Sequence, residues 1–520
     1  MAENISNQFN LRRLILLSTL ARLVIAGTVE LGNDEAYYFT YALQPDWNHF
    51  DHPPLVGLFI RLFTVNLHWI TDFTMRLTSV LGAALCTWLI AKCGQLIRNE
   101  RTGYFAAVLY TASVYTSIIA GIFIIPDSPQ LVFWLSSLYC MLLLIGSTKQ
   151  EEKNKSVLWL GLWIGLACMC KIHGIFLWFG FGVYILLYNR QWLKNPFLYL
   201  SALLTILIVC PVVFWNFNNH FVTWQFHSER VEISNEGLNL KAFLTMLVGQ
   251  FFYNNPIVVL LGALAILAVS RNKSVLSVKF TRLLLWTSLP LIIVSTMVSL
   301  FRSTLPHWSG PGFISLMLLS AAFLDYKIAG NRRQAYRRLL QSALGLVIFA
   351  VVAGIAIIRF YPGTLSNQPY PRTGKGDATL DMYGWQEFRK TFVQLRNNDI
   401  RQHVMTEKTP ILVNKWFPGG HLLYYISHPL GIPVIGEGTL KDLHKFAWLN
   451  KQQGYLSKGN DAYYIIPSNY YTDPSVVYRK YFESISLAKE LPQTRGGEVA
   501  RYWYIYRLKR AKKDLGVLIQ

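Results

Sequence analysis

The chain has 520 residues, 52% of them hydrophobic, with a mean hydropathy of +0.30 and a formal net charge of +21. That apolar content excludes an ordinary soluble globular protein of this length. The basic residues sit in short clusters between apolar runs, as in the cytoplasmic loops of membrane proteins, which argues for a lipid bilayer and against nucleic acid as the partner.

Arg12-Arg13 opens the first apolar stretch and no small-residue cleavage site closes it, so a retained helix is expected rather than a signal peptide. A bilayer core takes about twenty apolar residues per helix. About eleven runs approach that length: 11–28, 76–97, 103–124, 130–147, 156–171, 173–189, 196–214, 242–269, 280–300, 309–325 and 338–358. Segment 54–70 follows Pro53-Pro54 and is amphipathic, which predicts an interfacial helix rather than a span. The cysteines, from Cys86 to Cys210, lie in or beside the apolar runs and form neither a disulfide framework nor a zinc spacing.

Alternating from a cytoplasmic N-terminus places a basic cluster in every inside stretch, such as Lys92, Arg98 and Arg101, or Lys327, Arg332, Arg333, Arg337 and Arg338. The long first outside loop has Arg61 alone against Glu30, Asp34, Glu35, Asp46, Asp51 and Asp72, as the positive-inside rule requires. The fold expected is an all-α polytopic membrane bundle of about eleven transmembrane helices, residues 1–358, with its first outside loop at 29–75. An odd number of spans then puts residues 359–520 outside. That tail is polar and aromatic, with short strand patterns at 411–413, 463–466 and 503–506 and helical patterns at 385–397, 420–427 and 439–453, which predicts a small C-terminal extracytoplasmic α/β domain.

With this topology the unusual polar residues recur on one side of the bundle. Ionisable groups at membrane depth are costly, so such a gathering needs a reason. If 33–38 is helical, Asp34 and Glu35 point about 100° apart, and Asp34 shares a face with Tyr37 and Tyr38. A carboxylate flanked by aromatic rings suits a sugar; the plain alternative is an acid at a helix start. Asp51-His52-Pro53-Pro54 is a rigid element, or simply a helix-entry turn. Asp127 follows Pro126 at a helix mouth, where capping is the alternative. Lys171, Arg230 and Arg302 are cations on the base-poor side, suited to phosphate or to snorkelling toward lipid headgroups. Arg22, inside the first span, is expected to face the bundle or a polar cavity. His173, His227 (in the fourth outside loop, 215–236) and His307 are more often polar interface residues than metal ligands. No HExxH, Gly-rich phosphate loop or Walker pattern occurs, and a divalent metal stays open.

The motifs Asp34-Glu35-Ala36-Tyr37-Tyr38, Asp51-His52-Pro53-Pro54, Pro126-Asp127 and Pro306-His307-Trp308 resemble those of the protein O-mannosyltransferase-like glycosyltransferases (glycosyltransferase family 39), bacterial membrane enzymes of the GT-C type. More distantly they resemble the lipid A aminoarabinose transferase. The resemblance covers about residues 10–330 in the same order and spacing, and Asp381-Met382-Tyr383-Gly384-Trp385 resembles the entry to the small outer domain. It implies transfer of a sugar from a polyprenyl-phosphate carrier to an acceptor glycan, lipid or protein outside the bacterial cytoplasmic (inner) membrane. It also implies roles: Asp34 as catalytic base with Glu35 as the alternative, Asp127 as a second acid near the active centre, and Lys171 and Arg302 at the donor phosphate. Arg230 joins them as a further expected phosphate contact, while Tyr37, Tyr38, Asp51, His52, His227, His307 and Trp308 are expected to bind substrate. Lys171-Ile172-His173 stands where relatives carry Lys-Tyr.

The chemistry is compatible with these residues. A sugar on phosphate already has a good leaving group, so one carboxylate suffices to take the acceptor's proton as its hydroxyl attacks from the opposite face. Inversion at the anomeric carbon follows. The competing expectations are a lipid-linked-sugar transporter or flippase, for which inverted repeats and mid-membrane broken helices would be the signs, and an assembly subunit that uses only its outer domain.

Overall fold

The computed structural model describes residues 2–231, 237–271, 273, 275–328 and 333–516. Residues 232–236 of the fourth outside loop, and Arg332, lie outside that set. Contacts divide the chain into two compact units, one of residues up to Ala26 with Trp47–Val351, the other of Gly27–Asp46 with Val352 onward.

In the first unit, polar residues at the ends of apolar runs set where helices start. Thr71 and Thr74 form a reciprocal cap at the head of Asp72–Ile97. Asn99 accepts from the Thr102 amide to open Glu100–Ala112. Asn195 and Asn255 each cap a helix whose first residue is proline, Pro196–Asn218 and Pro256–Ser270. Asn255 also donates to the Ala112 and Ala343 carbonyls, at 2.8 and 2.9 Å, and so ties three segments.

Six helices among the described residues are long and apolar enough to cross a bilayer: Asp72–Ile97, Asp127–Gly146, Pro196–Asn218, Val278–Val298, Pro306–Ile328 and Gln334–Phe360. The number rises to eight if each of two interrupted pairs counts as one span. About eleven spans were expected. The difference comes from breaks and polar stretches that hydropathy averages over: 242–269, read as one span, is Leu240–Tyr253 and Pro256–Ser270, which meet at 97° around the buried Asn254 and Asn255. The amphipathic segment 54–70 contains a short helix, Leu55–Phe63.

Pro196–Asn218 and Gln334–Phe360 leave large apolar side chains uncovered, including Phe217 at 70% and Phe349 at 73% exposure. Such stripes are stable against lipid and not against water. Arg22 faces inward as expected, buried, donating to the Ser117 carbonyl at 3.2 Å and its hydroxyl at 3.0 Å.

Between helices, small residues let backbones approach and hydroxyls bridge them. Thr205 Oγ donates to the Gly161 carbonyl at 2.7 Å, and a Cβ at Gly161 would overlap the Ser201 carbonyl. Gly161→Ala is therefore expected to separate Gln150–Cys170 from Pro196–Asn218 at a cost of about 1–3 kcal/mol. A lower apparent melting temperature in detergent would report it. Gly182→Ala, where a Cβ meets nothing within 4 Å, is the control and should leave that temperature unchanged.

The second unit is built on a mixed sheet with β1 Ile411–Val413, β2 Val434–Gly436, β3 Ala462–Pro467, β4 Phe482–Arg495 and β5 Glu498–Ala511, in the order β2-β1-β3-β5-β4. β1 pairs in parallel with β2 and β3, while β5 runs antiparallel to β3 and β4. The β4–β5 hairpin turns through Gly496 and Gly497, both at positive φ (58° and 90°), the conformation that selects Gly-Gly in a two-residue turn. The helix Trp385–Arg401 packs on the sheet through Trp385, Phe388 and Phe392, with the Phe388 and Trp503 rings stacked at 3.9 Å. Asp399 on that helix accepts from Tyr463 at 2.8 Å and pairs with Arg507 at 2.6 Å. The strands expected at 411–413, 463–466 and 503–506 all lie in this sheet, joined by β2 and β4.

Candidate functional site

The polar residues of the first unit gather where helices begin or break. Helix Gln150–Cys170 stops at Lys171, whose backbone is extended (φ −157°), and the chain resumes as Ile175–Tyr188 after one tight turn. The break is held by Gln130, which donates to the Ala167 and Lys171 carbonyls at 3.2 and 2.7 Å. Lys171 is buried and its Nζ donates to Asp127 Oδ2 at 2.8 Å. Asp127 stands in the first turn of Asp127–Gly146, but its carboxylate caps nothing; it takes Lys171 on one oxygen and the Tyr115 hydroxyl, at 2.9 Å, on the other. Tyr115 sits on a widened helical turn, Tyr115–Ile119, and Gly310 packs against its ring so closely that a Cβ would overlap it. His307 lies within electrostatic reach of both Asp127 and Lys171, and the His173 and Trp308 rings are 6.0 Å apart.

A second cluster adjoins the first. The helix Val222–Val231 of the fourth outside loop lies against the later part of the first loop: Asn48 donates to Thr223 Oγ at 2.9 Å, and His227 Nε2 meets the Asp51 carbonyl at 2.7 Å. The His52 and His227 rings are 5.9 Å apart, and the Arg230 guanidinium lies 4.4 Å over the Phe226 ring. Burial, followed by the influence of His227, Lys171, His173 and Arg230, holds His52 well below the usual imidazole range. His227 is lowered by burial, against the opposing bond to Asp51. Both imidazoles are thus biased to the neutral form. Asp51, His52, Asp127, Lys171, His173, His227, Arg230, His307 and Trp308 therefore share one neighbourhood. Arg302, half-buried, lies on the connection after Leu289–Val298.

The Asp34 motif lies in the second unit, where Asn33–Leu43 is helical as expected. The two acids have separate surroundings. Glu35 is buried and its Oε2 accepts from the Gly32 amide at 2.8 Å, closing the helix start, whereas Asp34 is exposed. Tyr37 and Tyr38 are buried, instead of forming the open pair of rings expected beside Asp34. Tyr37 packs edge-on to Trp416 and His444, and its hydroxyl accepts from the Lys445 amide at 3.3 Å. Helical spacing puts them on one face, and the α/β unit covers that face.

Sequence reasoning missed Tyr115 and Gln130, which hold the Asp127–Lys171 pair. An aromatic and an amide within apolar runs gave no signal. Among the described residues, no three His, Cys, Asp or Glu side chains converge to hold a metal ion.

The family model described as dolichyl-phosphate-mannose-protein mannosyltransferase matches residues 51–215. Lipid A galacturonosyltransferase RgtD of Rhizobium johnstonii is 22% identical over 431 residues, which is 81% of this chain and 85% of that protein. Dolichyl-phosphate-mannose–protein mannosyltransferase 6 of Saccharomyces cerevisiae is 29% identical over 220 residues, 36% of this chain and 29% of the yeast protein. Among solved structures, ArnT from Cupriavidus metallidurans bound to undecaprenyl phosphate matches with a TM-score of 0.65 at 15% identity, over 95% of this chain and 97% of that one. The chain has the fold of ArnT, and its resemblance to the GT-C type membrane glycosyltransferases holds across these independent comparisons.

Proposed function

Starting from that resemblance, we propose that the chain is an inverting glycosyltransferase that moves a sugar from a polyprenyl-phosphate-linked donor to an acceptor on the extracytoplasmic side of the bacterial inner membrane. The observation that carries the reading is the buried Lys171–Asp127–Tyr115 group at a helix break in a lipid-facing bundle. A buried ion pair is a poor device for stability alone, because desolvation offsets much of its attraction. In a membrane chain such a pair points to a polar ligand.

Lys171 has three N–H donors and gives one to Asp127, which leaves donors for a phosphate. Asp127 and Tyr115 hold the ammonium in place so that it need not reorganise as charge grows on the leaving phosphate. Arg230 and Arg302 are the further cations proposed for that group. Asp34 is the proposed base. The acceptor oxygen bonds to the anomeric carbon, the bond from that carbon to the phosphate oxygen breaks with its electron pair leaving on the phosphate, and the acceptor proton passes to Asp34. Asp51, His52, His227, His307 and Trp308 are the residues proposed to bind the substrates, with both loop imidazoles biased to the neutral form. The distribution of basic residues supports the extracytoplasmic side. The acceptor is a glycolipid, glycan or protein; a relative matched over 81% of the chain is a lipid A galacturonosyltransferase, which favours a glycolipid.

The test is mass analysis of envelope lipids and glycans from cells with the protein, without it, and with Asp34→Asn. One glycan or glycolipid should lose a single sugar residue in the latter two and in no other comparison. Identical profiles in all three would contradict the proposal.

A further inference from the structure

The residues on either side of Asp34 are unusually well anchored within the second unit. Glu30 places both carboxylate oxygens on the head of Trp385–Arg401, accepting from the Trp385 and Gln386 amides at 2.9 Å each. The Leu31 amide donates to the Tyr425 hydroxyl at 2.6 Å, and the Leu31 carbonyl meets His421 Nε2 at 2.9 Å. Glu35 closes the turn on the Gly32 amide. The residue directly before Asp34 has its own partner: Asn33 Nδ2 donates to Asp381 Oδ2 at 2.9 Å. Asp381 is buried, and it also accepts from Tyr470 at 3.0 Å and from Asn469 at 3.4 Å.

We infer that Asp381 is a positioning residue for Asp34: its carboxylate fixes Asn33 at the first turn of Asn33–Leu43 and thereby sets the direction of the exposed acid that follows. The inference rests on the proposed role of Asp34 as base. A neutral amide at this point has one acceptor oxygen and turns an NH2 group toward these donors, so it cannot hold Asn33, Tyr470 and Asn469 together. What a carboxylate adds is a firm bond to three donors that can be lost by protonation.

Burial pushes the Asp381 carboxyl up to about 7, against Tyr470, Arg501 and Asn33, which favour the charged form, while Asp377 adds to the rise. Arg501 is itself buried near Glu30 and Arg495. Because the Asn33 bond favours the charged carboxylate, protonation must weaken that bond by the same free energy. The anchor is therefore firm above pH 7 and loosens as the pH falls through 7.

A nitroxide at position 34 tests this without any substrate. The full chain in lipid nanodiscs carries Asp34→Cys and Cys210→Ser; the other five cysteines are buried and do not react. The expected electron spin resonance spectrum is immobile at pH 8.5 and gains a mobile component with a midpoint near pH 7. Asp381→Asn should be mobile at both ends of the titration. So should Asn33→Ala, a half-buried site that keeps the fold if Asp381→Asn does not. With transfer as the readout, Asp381→Asn should lower kcat about tenfold, leave the donor KM in place and remove the acid limb near pH 7. A parent spectrum that does not change with pH, or an Asn33→Ala spectrum that matches the parent, overturns the positioning role and leaves Asp34 as base untouched. Full transfer by Asp34→Asn would remove the base and leave the spectra as they are.

Discussion

Asp34→Asn is expected to abolish sugar transfer, a loss of about two to four orders of magnitude, with the fold intact. A positioned general base contributes about that much, and an amide at the same place cannot accept the acceptor's proton. Stability should hold because Asp34 is exposed while its neighbour closes the helix. The adjacent acid should behave in the opposite way. Glu35→Ala removes the bond to the Gly32 amide and is expected to cost about 1 kcal/mol of stability, with transfer falling only as the helix start frays. Measuring transfer and apparent melting temperature on both variants separates the two carboxylates that sequence alone left as alternatives.

The second large effect is expected at the buried pair. Asp127→Asn leaves the Lys171 ammonium without its carboxylate, and Lys171→Met leaves the carboxylate without its ammonium. Breaking a buried pair from one side costs about 3–5 kcal/mol. Each single variant should therefore melt well below the parent in detergent and transfer no sugar. The double variant, with the charges gone together, should recover much of the melting temperature and none of the activity. Recovery of transfer in the double variant would make the pair structural and take Lys171 away from the phosphate. Tyr115→Phe removes one donor to the buried Asp127 carboxylate and is expected to cost about 1.5–3 kcal/mol, less than breaking the ion pair.

The sequence made some of this legible, for identifiable reasons. Asp127, Lys171, His173 and His307 stand out as ionisable groups at the ends of apolar runs, and the structure gathers them because their helices begin or break at the same place. The three expected strands were marked by β-branched and aromatic runs between turn residues, and the sheet contains all of them. The membership of Gly27–Asp46 was not visible. It depends on bonds from Glu30, Leu31 and Asn33 to residues more than 340 positions away, which no local pattern encodes. Helical spacing put Tyr37 and Tyr38 on one face but did not say that both are buried, with Trp416 and His444 packed on Tyr37. The helix bend at Asn254-Asn255 was hidden because two amides barely lower the hydropathy of a long apolar window.

The most direct test uses the purified protein in liposomes with a panel of synthetic undecaprenyl-phosphate-linked sugars and an extract of envelope glycolipids. Release of free undecaprenyl phosphate is followed together with the sugar-bearing product. One donor should yield undecaprenyl phosphate and glycosylated acceptor in equal amounts, with inverted anomeric configuration, and neither should form with Asp34→Asn. Movement of an intact donor across the bilayer with no cleavage would contradict the account and identify a flippase.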